Sequence, residues 1–72
     1  MKRVRFHVID VATGPDWAVV LMYDSDERCW VVAWNCPNES CRRDVTEDQG
    51  RSFAQQLFMA TREEVAGMVA HG

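Results

Sequence analysis

At the start of the chain the apolar residues Val4, Phe6 and Val8 are separated by Arg5 and His7, a period of two that predicts a half-buried strand. The phase then slips. Ile9 and Val11 fall on the opposite parity with Asp10 between them, so either a bulge at residues 8–9 or burial of both faces is expected. Thr13-Gly14-Pro15-Asp16 supplies turn chemistry, since glycine tolerates positive φ and proline presets φ. Every position from Trp17 to Tyr23 is apolar, which a strand tolerates only when both faces are covered. This stretch is therefore the expected central strand, and Val20 and Leu21 are expected to be equally intolerant of a charge. Asp24-Ser25-Asp26-Glu27 reads as a second turn, and Cys29 to Trp34 as a third strand with Trp30, Val32 and Trp34 on one face.

The stretch from Asn35 to Asp44 has turn-forming composition without periodicity and reads as a loop. Helix signals follow. Thr46 with Gln49 makes a capping box, and Glu47 and Asp48 occupy the first turn, where the helix dipole favours anions. Phe53, Ala54, Leu57 and Phe58 form an apolar stripe, and a second capping box, Thr61 with Glu64, introduces Val65, Met68 and Val69. One helix from Glu47 to Ala70 would run about 36 Å, more than the roughly 28 Å diameter of a compact chain this size, so a break near Thr61 is expected. The expected fold is α+β in a single domain over residues 1–72. A three-stranded antiparallel meander, in the order 1-2-3, is packed by a C-terminal helix followed by a second short helix.

A chain of 72 residues buries only about 60% of its unfolded surface, so a disulfide, a metal or a second subunit would help it. Cys36 and Cys41 are five apart, but only Cys29, His7 and His71 remain to complete a zinc site. Free thiols are expected, with no metal, obligatory disulfide or cofactor. Residues 2–7 alternate charge with apolar side chains where a secretory signal would be continuously apolar, and no run approaches the ~18 residues of a membrane span. A cytoplasmic protein without a membrane segment is expected. His7 alternates with Arg5 on an outward strand face, and no phosphate loop, nucleophile elbow or zinc-protease helix is present. Nothing in the spacing supports catalysis, and the chain reads as a non-enzymatic protein.

The net charge of −3 disfavours direct nucleic-acid binding. A rival reading keeps it: Arg3, Arg5, Arg42 and Arg43 would hold phosphates while Trp30 and Trp34 stack bases, as in an antitoxin-like or phage transcription regulator. A metal-stabilised accessory domain using Cys36 and Cys41 is the third reading. More informative is the surplus of apolar surface. A strand apolar on both faces needs two layers of cover, and this chain offers one substantial helix, so the rest would come either from the short segment after Thr61 or from a partner chain, a second copy among the candidates. Carboxylates at Asp24, Asp26 and Glu27, or at Glu47 and Asp48, are the expected protein-binding positions.

In size, acidic balance and strand-then-helix layout, the whole chain resembles the small inhibitors made by phages and mobile elements, notably anti-CRISPR proteins. That resemblance implies a stand-alone αβ domain in the host cytoplasm that sterically blocks a nuclease complex. Its acidic side chains would compete with phosphate for a basic channel.

Overall fold

The computed structural model describes residues 4–71. Four strands, β1 (Phe6–Thr13), β2 (Ala18–Asp24), β3 (Cys29–Cys36) and β4 (Glu39–Thr46), precede a 3-10 turn over Glu47–Gln49 and one helix, α1 (Gly50–His71). The strands form an antiparallel sheet in the order β1-β2-β3-β4. The fold is thus α+β, with the apolar β2 in the interior as expected, and β3, expected at the edge of a three-stranded meander, is interior as well because β4 pairs with it. The phase slip in β1 is a bulge: Val8 pairs with Met22 and Asp10 with Leu21, and Ile9 is the extra residue.

The fourth strand replaces the loop expected from Asn35 to Asp44. Pro37 and Asn38 connect Cys36 to Glu39, which pair directly, and the ladder continues to Cys29 opposite Thr46. An edge strand has little to bury, and along β4 only Val45 is buried while most of the others are exposed. Its charges suit that position, since they discourage further strand pairing, but they erase the apolar alternation that would have revealed it.

The helix is also single, where two were expected. Ala54, Phe58, Thr61 and Val65 are its buried residues, a stripe that runs through Thr61 without interruption. Thr61 therefore acts as a core-facing side chain rather than a cap. A sphere of this volume would be too short for such a helix, but the molecule is a slab of 41 × 28 × 16 Å, along which a 22-residue helix of about 33 Å fits. The capping box at Thr46 exists, with the Thr46 N–H donating to Gln49 Oε1 at 3.3 Å, but it caps the short 3-10 turn. Gly50 then takes φ of 73°, a left-handed conformation that redirects the chain into α1.

Because directly paired residues share a face, the register divides the sheet unambiguously. Val19, Leu21, Trp30, Val32 and Val45 lie on the face covered by α1 and make the core with Ala54, Phe58 and Val65. Tyr23 and Trp30 meet there at 5.3 Å between ring centroids. The other face carries Phe6, Val8 and Val11 of β1, Val20 and Met22 of β2, Val31 and Ala33 of β3, and Arg42 and Asp44 of β4. No element of the described chain packs on it. Val20 is consequently half-buried rather than enclosed on both sides.

Leu21 and Val20 should therefore respond differently to a charge. Leu21→Asp places an unpaired carboxylate beneath α1 and is expected to abolish cooperative unfolding in urea, whereas Val20→Asp should remain folded with a loss of about 1–3 kcal/mol. Equal collapse of both variants would mean that the second face is covered within the chain.

Candidate protein-binding surface

The five carboxylates singled out in the sequence gather at one end of the sheet. Antiparallel pairing of Cys29 with Thr46 sets the β2–β3 turn beside the junction of β4 with the 3-10 turn, so Asp26 and Glu27 lie at the same end as Glu47 and Asp48. All four are exposed. Asp24 is not: its side chain is 0% exposed, which corrects its expected place in an exposed acidic turn. Its position is structural. Arg5 donates to both oxygens, Nε to Oδ1 and Nη2 to Oδ2, each at 3.1 Å, a two-pronged charge-assisted contact. The backbone N–H groups of Asp26 and Glu27 donate to Oδ1 at 3.0 and 3.2 Å, so the same carboxylate also shapes the turn.

Hydrogen bonding from Arg5 holds the Asp24 carboxyl below its ordinary range against the opposing effect of burial, with the two turn N–H groups contributing. Arg5 is correspondingly held more firmly protonated, chiefly by its hydrogen bonds to Asp24. Ser25 fastens the same corner, its N–H donating to the Arg5 carbonyl at 2.9 Å and its hydroxyl at 3.1 Å. Asp26 also lies near Arg5, at 3.7 Å from Nε.

A second arginine closes the cluster from the far edge. Arg42 donates to Asp44 at 3.0 Å, approaches Asp24 at 4.0 Å and places its guanidinium 5.6 Å from the Phe6 ring centroid, where Arg5 stands at 5.0 Å. Reaching from β4 toward β1, this side chain passes over β3, and Val31 there is fully buried although no helix covers that face. Toward the other end of the face the cover stops. Val8 and Val11 are 60% and 50% exposed, and Val20, Met22 and Ala33 are only half-buried beside them. The bare residues form one apolar patch across β1, β2 and β3, bordered by Arg42 and Asp44. The sequence reading anticipated surplus apolar surface but named only acidic residues as contacts; the signal for Val8 and Val11 was the phase slip itself.

The rival readings fare less well in geometry. Arg5 and Arg42 are engaged by Asp24 and Asp44, Trp30 is buried beneath α1, and Trp34 is half-buried with Arg43 6.0 Å from its ring. Arg3 lies outside the described residues. The three cysteines are free thiols. Cys36 and Cys41 flank Glu39, with sulfur–oxygen distances of 4.0 and 3.7 Å, and burial together with Glu39 pushes the Cys41 thiol up, away from the reactive thiolate. Among the described residues no group of three or more His, Cys, Asp or Glu side chains is placed to hold a metal ion. An open cleft of about 580 Å³ separates the end of α1 from the β3–β4 turn, between Met68, Val69, Pro37 and Glu39. No helix among these residues is long and apolar enough to cross a membrane.

The Asp24 cluster has a measurable signature in acid. A carboxyl lowered by folding stabilises the protein fully above its unfolded value near 3.8, and that stabilisation is lost as pH falls through 3.8 toward the lower folded value. Asp24→Asn should thus lower the urea midpoint at pH 7, with the gap to the parent narrowing below pH 3.8. A constant gap for Asp24→Asn would show that the carboxylate charge is not what matters.

Comparisons with protein-family models, curated protein sequences and solved structures found no match to this chain.

Proposed function

We propose that this protein acts by binding another protein chain through the open face of its sheet. The observation that carries this reading is the apolar patch of exposed Val8 and Val11 with half-buried Val20 and Met22, on a face over which the described residues pack no layer. Exposed apolar side chains are ordinary singly, but a contiguous group on a sheet face with a charged border has the composition of an interaction site. Glu27, Glu47 and Asp48 at the adjoining end would steer a basic partner toward it, affecting association rate more than final affinity.

A non-enzymatic inhibitor fits this arrangement. A small rigid domain that lays one face against a larger assembly blocks whatever that surface otherwise holds. Occlusion of the nucleic-acid channel of a nuclease complex, as in the anti-CRISPR proteins that the chain resembles, is the specific form we favour. Pairing of Arg5 and Arg42 with carboxylates supports a protein partner over direct contact with DNA or RNA.

The test uses charge on the bare patch. Val8→Lys with Val11→Lys alters two largely exposed side chains and should preserve the circular dichroism and urea transition of the parent. A stoichiometric partner retained from host extract by the immobilised parent, and then confirmed with purified components, should bind the double variant at least about 100-fold more weakly. Glu27→Lys should slow association severalfold, an effect that added salt erases. Undiminished binding by the double lysine variant, or tight binding of the purified chain to DNA or RNA, would overturn the proposal.

A further inference from the structure

The register of the open face points to a specific occupant. Its second row across the strands reads Val8, Met22, Val31, Asp44 and its third reads Val11, Val20, Ala33, Arg42. A two-fold axis lying in the interface and running across the strands between these rows would stack β1 on β1 and β4 on β4 while exchanging the rows. Val8 would then lie opposite Val11 of the second copy, Met22 opposite Val20, and the Asp44 position opposite that of Arg42, whose guanidinium also pairs with Asp44 of its own chain. Within these two central rows every apolar position lies opposite an apolar one and the acidic position opposite the basic one, a match that one surface makes with itself only if its two rows have the same order of chemistry, whereas in the outer rows Phe6 meets Thr13 and Asp24 meets Ala18. The alternative axis, parallel to the strands, sets Val8 against Asp44 and has no such match.

We infer that this protein self-associates as a two-fold, face-to-face dimer through its open sheet face, an inference that rests on the binding role proposed for that face. Two properties suit it to a second copy. Arg5 and Arg42 balance Asp24 and Asp44, so the face is electrically neutral and the net charge of −3 resides on the remaining surface, where two copies facing each other through their sheets hold it apart. Sheets stack about 10 Å apart with strands nearly aligned, which the antiparallel crossing from this axis permits. The area sets the strength. Four strands about 4.8 Å apart and seven residues long present about 450 Å² of flat face, against about 800 Å² per partner in a standard stable interface. The dimer is therefore weak and forms with rising concentration, leaving the face accessible to a tighter partner when dilute.

Sedimentation equilibrium of the purified chain tests this between about 10 µM and about 1 mM, the range in which an interface of this size exchanges. The weight-average mass should rise from the monomer value of 8.3 kDa toward twice that value. Val8→Lys with Val11→Lys, which would bring four ammonium groups together, should stay monomeric throughout while retaining its urea transition. Asp44→Arg sets like charges against each other across the axis and should weaken association about tenfold, whereas Glu63→Arg on α1 should not. A parent chain that remains monomeric at the highest concentration, or a dimer indifferent to the two lysines, overturns the inference. If the parent stays monomeric yet the double lysine variant loses its heterologous partner, the dimer fails and the binding role of the face stands. If the partner is retained as well, both fail.

Discussion

A sheet has two faces, and among the described residues a single long helix is there to cover them. The remaining architecture follows from that inequality. Helix α1 lies over the middle strands and closes a core of Val19, Leu21, Trp30, Val32 and Val45. In a slab 16 Å thick there is room for one sheet and one helix and for no third layer. The second face must be protected by its own side chains or by another molecule.

The Asp24 cluster provides the first kind of protection. One buried carboxylate binds Arg5 from the segment before β1, receives two N–H groups of the β2–β3 turn and draws Arg42 across from the opposite edge. The long aliphatic stem of arginine covers apolar surface while its head stays paired, so Val31 and the Phe6 ring are shielded without a layer of secondary structure. That device reaches only as far as an arginine does. Beyond it lie Val8 and Val11, and there the surface is apolar and bare.

Much of this was legible in the sequence, and the failures share physical causes. Period-two patterning located β1, the unbroken apolar run located β2, and the turn residues between them placed the hairpins. The bulge was visible as the change of parity between Val8 and Ile9. β4 was missed because an edge strand satisfies its backbone through pairing while burying almost nothing, leaving Glu39, Arg42, Arg43 and Asp44 to look like a loop. The expected break at Thr61 mistook a threonine that packs into the core for one that caps a helix. Asp24 was misjudged most, since an aspartate in a run of turn residues gives no sign that Arg5, nineteen residues away, will bury it. Of the acidic candidates, Asp26, Glu27, Glu47 and Asp48 are exposed at one end, which only strand register could reveal.

Function then depends on whether the bare half of the open face is where this protein meets other chains. Methyl NMR with a soluble paramagnetic agent measures that directly, because relaxation reports the solvent exposure of each methyl group. In the free, dilute protein the Val8 and Val11 methyls should relax strongly and the Val31 methyls weakly, the latter lying beneath Arg42. On binding, Val8, Val11, Val20 and Met22 should become protected while Met59, exposed on α1, stays unchanged. Protection of Met59 or Met68 with Val8 and Val11 still open would place the interaction on the helix and contradict the account.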